Sequence, residues 1–493
     1  MINKKKIGII GSGFAGLASS AVLAQNNFDV HVFEKNSTFG GRARQFSAQG
    51  FAFDMGPSWY WMPDVFEKFF KRFGKKPEDY YELKKLDPGF QMIFNETETI
   101  EIPESFDDLC ALFESIESGS ADKLKKFMDE AEYKYKVGVN DLVYLPGLSL
   151  GELMRFDLAK GVFKLQVFTS FSKHVKKFFK DPRLISLMEF PILFLGAMPK
   201  NTPALYSLMN YAGLKQGTYY PIGGFAKVIQ GMKTLAEEQG VKFHADSAVE
   251  GFDIKNKYVN TINTVKGNNN VDAVIAAADY NHVDQKLLPE EFRNYNEAYW
   301  ERKTFAPSSL LFYLGVNKKL PKLKHHNLFF DEDLTPHAID IYEKKRWPNK
   351  PLFYVCCPSK TDPTVAPEGS ENLFFLMPVA PGIEDTNEIR EKYYKLLLKR
   401  LENYVGEKIE DHIVYKKSYC VKDFENDYNA YKGNAYGLAN TLSQTANLKP
   451  SLKNKKLKNF LYAGQLTVPG PGVPPSIISG QVAAEQIINS FKK

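Results

Sequence analysis

A glycine-rich turn near the start of the chain constrains the fold more than any other feature. A short apolar run leads into Gly11-Ser12-Gly13-Phe14-Ala15-Gly16, and a second apolar run ends on Glu34. This order predicts a strand, a tight turn, a helix and a second strand. Gly11 permits the turn, Gly13 lets the backbone approach a pyrophosphate, and Gly16 lets the helix lie close to the strand. The helix N-terminus would then present free N–H groups to the phosphates.

Glu34 is the acid expected at the end of the second strand of such a unit. Its carboxylate would accept hydrogen bonds from the adenosine ribose hydroxyls, which favours FAD or NAD over NADP. Many glycine-rich turns bind nothing. Here, however, the turn follows an apolar strand, opens a well-patterned helix and has its acid at the expected distance, so the unit predicts a dinucleotide site.

The segment Gly40-Gly41-Arg42-Ala43-Arg44 follows the second strand and favours flavin. It resembles the extension found in the amine-oxidase-like FAD superfamily, in which an arginine reaches the cofactor phosphates. A plain NAD dehydrogenase has no reason to carry it. We therefore expect FAD, with Arg42 beside its phosphates.

Length and composition bound the class of protein. A chain of 493 residues exceeds what one core usually holds, so two domains or one domain with large insertions are expected. The net charge of +6 is modest and does not indicate nucleic-acid binding. The 38 Phe and 26 Tyr suit a large apolar cavity, or simply an aromatic-rich core.

Cysteine and histidine spacing argues against disulfides and metal sites. The cysteines, which show no CxxC spacing, are Cys110, Cys356, Cys357 and Cys420. This usage is typical of a reduced, cytoplasmic protein and excludes the disulfide-reductase flavoenzymes. The adjacent His325 and His326 would point to opposite faces of a strand, and no HxxxH or HExxH motif occurs, so no metal site is predicted.

The predicted fold class is α/β, with a Rossmann-type FAD-binding domain and an inserted, discontinuous substrate domain of mixed β-sheet plus helices. The FAD-binding domain is expected at residues 1–95, 217–290 and 450–493. The substrate domain, which would also face the membrane, is expected at residues 96–216 and 291–449. The longest uncharged apolar run falls well short of the roughly twenty residues that a bilayer requires, so no spanning helix is predicted.

Two turns are expected beside the flavin ring. Gly56-Pro57-Ser58 breaks a strand-like alternation, and we place this turn near the isoalloxazine. The Trp59-Tyr60-Trp61 triplet that follows would line a substrate cavity or pack in the core. Near the other end, Pro469-Gly470-Pro471-Gly472-Val473-Pro474 forms a rigid loop before a helix from about Ser476, whose N-terminus would face the pyrimidine edge of the flavin.

A basic amphipathic region around residues 160–199 is a candidate membrane contact. One face is apolar, with Phe168, Phe171, Val175, Phe178 and Phe179. Positive charge lies beside it, from Lys164, Lys173, Lys176, Lys177, Lys180 and Arg183. Such a helix can lie in a membrane interface, although packing on its own domain is the commoner explanation.

Taken together, these motifs resemble the bacterial-type carotenoid desaturases, the phytoene desaturase family. The resemblance also includes Tyr-Tyr-Pro-x-Gly-Gly at residues 219–224 and the segment from Asp427 to Gly437, and it runs from Lys5 to about Ile488. One departure is Lys449, where the family more often has arginine before the proline. The resemblance implies an FAD enzyme that introduces C=C bonds into a long polyene, by hydride transfer to flavin N5 and proton loss from the neighbouring carbon.

The expected site joins both ends of the chain, and no catalytic acid or base is predicted. The residues expected to contact FAD are Gly11, Gly13, Phe14, Ala15, Gly16, Glu34, Lys35, Gly41, Arg42, Gly56, Pro57, Ser58, Val249, Gly464, Gln465, Gly472 and Val473. The reaction would be phytoene-type stepwise desaturation or 3,4-desaturation of a hydroxylated or partly cyclised carotenoid. Alternatives are an amine-oxidase-like flavoenzyme and an isoprenoid-binding escort protein of the same fold that has lost its flavin.

A carotenoid substrate lives in the bilayer, so the resemblance also predicts where the protein works. A chain without a spanning helix must visit the membrane surface to meet such a substrate. We therefore expect a cytoplasmic protein that associates peripherally with the inner face of the membrane. The basic region would be its docking face and the entrance to the substrate tunnel.

Overall fold

The computed structural model describes residues 4–140, 142–148, 165–441, 444–445 and 448–492, apart from the side chains of residues 140, 194 and 195. The strands are β1 (Lys6–Ile10), β2 (Asp29–Phe33), β3 (Gln45–Ala48), β4 (Phe51–Asp54), β5 (Leu83–Lys85), β6 (Phe90–Ile93), β7 (Thr99–Ile102), β8 (Tyr219–Pro221), β9 (Lys242–His244), β10 (Val249–Lys255), β11 (Tyr258–Thr264), β12 (Gly267–Asn270), β13 (Ala273–Ala276), β14 (Ser308–Val316), β15 (His326–Phe329), β16 (Phe353–Cys356), β17 (Glu371–Val379), β18 (Ile413–Tyr419) and β19 (Phe460–Tyr462). The longer helices are α1 (Phe14–Gln25), α2 (Pro63–Lys71), α3 (Phe106–Ile116), α4 (Ser120–Asn140), α5 (Phe171–Phe178), α6 (Pro182–Glu189), α7 (Phe225–Glu238), α8 (Leu334–Tyr342), α9 (Asn387–Val405), α10 (Val421–Tyr428) and α11 (Val473–Phe491).

A five-stranded sheet forms the first layer of the molecule. Its strand order is β19-β13-β1-β2-β9, and every neighbouring pair is parallel. The strands are short and apolar because helices cover both faces of such a sheet. This sheet and its helices confirm the predicted α/β class with a Rossmann-type unit.

Helix α1 is buried between that sheet and the last helix of the chain. Its sequence is small and apolar on all sides, which is the composition that a helix needs when it has no solvent face. A Cβ at Gly480 of α11 would lie only 2.2 Å from the carbonyl oxygen of Ala15. Glycine at this position therefore lets the two helices come into backbone contact.

A seven-stranded sheet, ordered β18-β14-β17-β16-β15-β6-β7, forms the second layer. All nine residues of β14 are buried, because both faces of the strand are covered. Leu310, Phe312 and Leu314 share one core with α9, whereas Leu311 and Tyr313 belong to the core on the opposite face. That second face is the one that fronts the cavity described below.

The predicted domain boundary at residue 95 does not match the strand pairing in the structure. Strand β6 pairs in parallel with β15 and antiparallel with β7, so residues 90–93 belong to the seven-stranded sheet. A boundary at residue 95 would cut through this β6–β7 hairpin. The sequence does not indicate this pairing, because β6 is short and lies far from β15 along the chain.

Among the described residues, no helix is both long enough and apolar enough to cross a membrane.

Candidate functional site

Each of the three glycines of the N-terminal turn is required for a different steric reason. Gly11 has φ +94°, a left-handed conformation that favours glycine, and its N–H donates to Phe33 O at 2.8 Å. A Cβ at Gly16 would lie 2.0 Å from Gly11 O, so this glycine permits the helix to meet the turn. A Cβ at Gly13 would meet no atom within 4 Å, because this residue faces the cavity.

The start of α1 has the features of an anion site. Gly13 is its N-cap and offers no side chain to satisfy the first N–H groups. Those donors and the positive end of the helix dipole are directed toward the cavity that Gly13, Phe14 and Ala15 line. This is the geometry that a pyrophosphate needs.

Glu34 lies buried at the end of β2, and protein donors hold both of its carboxylate oxygens. Ser12 donates its N–H and its hydroxyl to Oε2, at 3.1 and 2.6 Å. Asn36 donates its N–H and its side-chain amide to Oε1, both at 3.0 Å. Two of these four donors belong to the backbone, and the other two are side-chain groups that a ribose hydroxyl would have to replace.

Arg42 lines the cavity and has one donor that no described protein group uses. Its Nη2 donates to Asn434 O at 3.2 Å, and the Tyr428 ring lies 5.2 Å from the guanidinium carbon. With its amide oxygen facing the arginine, Gln465 accepts from Nη2 at 3.0 Å. Among the residues that the structure describes, the buried Nε of Arg42 has no hydrogen-bond partner. A buried guanidinium with a free N–H suits a phosphate oxygen.

Asp279 lies close to Arg42 and also lines the cavity. It caps a short helical turn by accepting from His282 N at 3.0 Å. Burial raises the pKa of this carboxyl to about 6, although its backbone hydrogen bonds and the charge of Arg42 act in the opposite direction.

The glycine turn, Glu34, Arg42 and Asp279 together form the dinucleotide cradle. One cavity, with a volume of about 490 Å³, connects this cradle to the seven-stranded sheet. The predicted cofactor residues that line it are Gly11, Gly13, Phe14, Ala15, Glu34, Lys35, Gly41, Arg42, Gly56, Pro57, Ser58, Val249, Gly464, Gln465, Gly472 and Val473. Gly16 is not among the lining residues, in keeping with its packing role. Helix α11 begins at Val473, three residues before the predicted Ser476, and its first turn contributes to the cavity wall.

The aromatic triplet divides between the cavity and the core. Trp59 and Trp61 line the cavity, but Tyr60 does not. The Tyr60 ring stacks on Phe66 with centroids 4.2 Å apart, and its hydroxyl lies 2.8 Å from the Tyr81 hydroxyl. Because side chains alternate in extended backbone, the middle residue of the triplet points away from the cavity that its neighbours face. Tyr60 is therefore a core residue.

The part of the cavity away from the cradle is apolar and lies between the seven-stranded sheet and α8; we call it the chamber. Its walls include Phe190, Met209, Leu328, Phe330, Ala338, Ile341, Leu352, Phe374 and Leu376. The Asp, Glu, Lys and Arg residues that line the cavity are Glu34, Lys35, Arg42, Asp279 and Asp427, all from the cradle segments. A long hydrocarbon fits such a chamber better than a charged substrate does.

His337 is a polar residue in the wall of this chamber, and the structure holds it neutral. Leu352 N donates to its Nδ1 at 2.9 Å, and its Nε2 lies 3.0 Å from Pro378 O. The first bond makes Nδ1 the acceptor, so Nε2 carries the proton. Burial lowers the pKa of His337 to about 4, which keeps the imidazole uncharged.

A segment around α10 belongs to the cradle but was not assigned to it from the sequence. Asp427, Tyr428 and Asn429 line the cavity. Asp427 pairs with Arg44 at 2.8 Å, and Tyr428 packs beneath both Arg42 and Arg44. The signal available in the sequence was the Asp427-Tyr428-Asn429 motif, which contributed to the family resemblance without being given a role.

The predicted orientation of the histidine pair is wrong. The ring centroids of His325 and His326 are only 4.5 Å apart. Strand β15 begins at His326, so His325 lies in the turn before it and the alternation of side chains does not extend to that residue.

The fold and the cradle define a dinucleotide-dependent oxidoreductase with an apolar chamber beside the dinucleotide site. A family model described as flavin containing amine oxidoreductase matches residues 14–488, and the chain belongs to this family. FAD is its cofactor, and the free donors of the α1 N-terminus, Gly13 and Arg42 fit the FAD pyrophosphate.

Comparison with individual proteins refines this assignment. The chain is 39% identical over 492 residues to a carotenoid 3,4-desaturase from Haloarcula japonica, with 99% of each chain covered. It is 30% identical over 495 residues to a zeta-carotene-forming phytoene desaturase from Myxococcus xanthus, covering 98% of this chain and 94% of that protein. A crystal structure of an oxidoreductase from Methanosarcina mazei shares the fold, with a TM-score of 0.62 at 16% identity over 99% of this chain and 100% of that one.

Proposed function

We propose that the protein is an FAD-dependent carotenoid desaturase. The observation that carries the proposal is one cavity that joins the dinucleotide cradle to a chamber without charged walls. The carotenoid desaturases named above, similar over nearly their full length, support it.

The contribution of the protein to such a reaction is placement and exclusion of water. When bound, FAD accepts a hydride from a substrate carbon. Trp59 and Trp61, which come shortly after the Gly56-Pro57-Ser58 turn, line the same cavity as that turn. Phe374 and Leu376 of β17 also line this cavity, so a polyene in it would lie against apolar side chains that disfavour water. The N-terminus of α11 also faces this cavity and would stabilise negative charge that develops there.

The direct test is product analysis. Protein reconstituted with FAD would be incubated in liposomes with phytoene, partly desaturated carotenoids and hydroxylated carotenoids, and the products separated by chromatography. We expect new conjugated double bonds in at least one substrate class, and the preferred class would decide between stepwise and 3,4-desaturation. Amine oxidation by the same preparation, without any carotenoid product, would contradict the proposal. A protein that binds no flavin but retains carotenoid would support the escort alternative instead.

We propose further that the protein docks on the inner membrane surface through the exposed side of α5. Phe171, Val175 and Phe179 are buried in the domain that contains α5, and Phe178 is partly buried against the same core. They are thus not the membrane contact. Exposed lysines cover the outer side of α5, and Phe168 just before it is 84% exposed. Lys164 lies outside the described residues.

Arg183 and the apolar run at residues 190–199 do not support docking. Arg183 is paired with Asp181 and Glu98, each at 2.7 Å. Phe190 and Ile192 are buried, and Phe190 lines the chamber. The docking proposal therefore rests on the lysines of α5 and on Phe168.

A vesicle-binding assay tests the docking face. Lys176→Glu with Lys177→Glu should weaken binding to anionic phospholipid vesicles about tenfold or more, because each lysine near such a surface contributes about 1 kcal/mol. The matched control is Lys395→Glu with Lys399→Glu, which makes the same charge change on the exposed side of α9. Equal vesicle binding by the two double variants would overturn the docking face and leave the desaturase proposal untouched.

A further inference from the structure

A buried cluster of two imidazoles and one thiol lies behind the chamber wall, outside the flavin site. His326 and Cys356 are direct cross-strand partners in the β15–β16 ladder, and His325 precedes His326. One ring nitrogen of each histidine and the Cys356 sulfur all lie within 4.8 Å of one another. All three residues are buried.

Each imidazole is hydrogen-bonded through one ring nitrogen, Nδ1, and does not use the other, Nε2. Nδ1 of His325 lies 2.7 Å from the Thr361 hydroxyl, and Nδ1 of His326 lies 2.5 Å from the Tyr354 hydroxyl. Within the described part of the chain, neither buried Nε2 has a hydrogen-bond partner. Buried polar atoms are rarely left in this state, because the desolvation cost is not recovered. A hydrogen bond on one nitrogen and a lone pair on the other is the arrangement of metal-ligating histidine.

The donor set suits a thiophilic transition metal. Imidazole and thiolate ligands select Zn²⁺ or Cu⁺ over the hard cations that prefer oxygen. Charge balance is available nearby. Asp362 is fully buried, accepts from Gly223 N at 2.6 Å, and lies against Tyr220, whose ring stands 4.6 Å from that of His325. One dication with the Cys356 thiolate and the Asp362 carboxylate is electrically neutral.

We propose that His325, His326 and Cys356 bind one thiophilic transition-metal ion, for which Zn²⁺ is the probe. The ion joins the first residue of β15 to the last residue of β16. It also fixes the His326 ring, on which Trp59 stacks with centroids 4.0 Å apart and planes at 10°. Because Trp59 lines the cavity, the metal stiffens the chamber wall from behind. This role is structural and does not depend on the substrate.

Metal analysis of the holoenzyme tests the site. The protein would be purified in reductant, without chelators or a histidine tag, and zinc and copper measured per chain by mass spectrometry. We expect about one equivalent in the native protein and near-complete loss in Cys356→Ser. Cys357→Ser is the matched control, because this neighbouring thiol is also buried but contacts Ser359 and Glu371 instead. It should retain the metal.

X-ray absorption spectroscopy on the native protein identifies the metal ligands directly. It therefore tests the site even if the serine variant fails to fold. One sulfur at about 2.3 Å and nitrogen ligands at about 2.0 Å from the metal would support the site. Native protein that contains no metal and takes up no stoichiometric Zn²⁺ after reduction would overturn it. Equal metal content in Cys356→Ser and the native protein would overturn it as well.

Discussion

Ser12 donates both its backbone N–H and its hydroxyl to the same carboxylate oxygen of Glu34, at 3.1 and 2.6 Å. The glycine-rich turn and the end of β2 are thereby joined through a buried carboxylate. The strand-end acid is fixed in position by the turn that it serves. The ribose site and the pyrophosphate site therefore form one rigid unit.

Replacing Glu34 should weaken flavin binding. Glu34→Ala removes a charged acceptor from the ribose, and hydrogen bonds to charged groups contribute about 1.5–3 kcal/mol, so we expect FAD affinity to fall roughly 10- to 150-fold. Titration of apoprotein with FAD, followed by flavin fluorescence, measures this. Asp29→Asn, at the other end of β2, should retain native affinity. Native affinity in Glu34→Ala would contradict the assignment.

Alanine substitutions at two glycines of the same turn should affect different properties, stability at Gly16 and FAD binding at Gly13. Gly16→Ala places a methyl group 2.0 Å from Gly11 O, so the helix must shift and the melting temperature of the apoprotein should fall. Gly13→Ala meets no protein atom within 4 Å, so the apoprotein should fold normally but bind FAD weakly, because the methyl group occupies phosphate space. Thermal melts of both apoproteins, with FAD titrations, separate the two effects. Identical behaviour of the two variants would contradict this division of roles.

Filling the chamber should strongly reduce turnover while leaving the flavin bound. Ala338 of α8 is buried and lines the cavity, so Ala338→Phe places a ring where the polyene would lie. We expect kcat/KM on a carotenoid substrate to fall by more than about tenfold, at unchanged FAD content. Thr335→Phe, on the exposed side of the same helix, controls for the added ring. Full activity in Ala338→Phe would place the substrate elsewhere.

Lys449 should make stability depend on pH in the alkaline range. Burial and the nearby charge of Lys303 lower the pKa of this amine from 10.5 to about 7. The folded state therefore releases a proton that the unfolded state retains. The native protein loses stability relative to Lys449→Met as pH falls from about 10.5 to about 7, and the difference stays constant below that range. Melting temperatures at pH 7 and pH 10 measure the change, with exposed Lys456→Met as the control. A pH-independent difference would show that the amine is charged when folded.

The dinucleotide unit was predictable because its signals are local. Gly11, Gly16 and Glu34 lie within one strand–helix–strand segment, and the demands on each residue follow from backbone geometry alone. The Arg44–Asp427 pair, by contrast, spans 383 positions of sequence, and no local pattern indicates it. Local sequence alone therefore does not place the α10 segment in the cradle.

Side-chain orientation and strand pairing could not be predicted from the sequence either. The sequence shows that Trp59, Tyr60 and Trp61 are aromatic, but the direction of the middle ring depends on where the extended backbone lies. Strand β6 pairs with β15 through contacts more than two hundred positions away in sequence, which no local pattern indicates. His325 departed from alternation because the strand begins one residue later.

The contact between Gly480 and Ala15 also sets the order of events during synthesis. Strand β19 and helix α11 supply the edge of the parallel sheet and one wall of the FAD cradle, but they are translated more than four hundred residues after the glycine turn. Until residues 460–491 have left the ribosome, α1 has no helix to pack against on that side. Flavin capture therefore follows the synthesis of residues 460–491, and the earlier strands of the first layer must fold without the cofactor as a template.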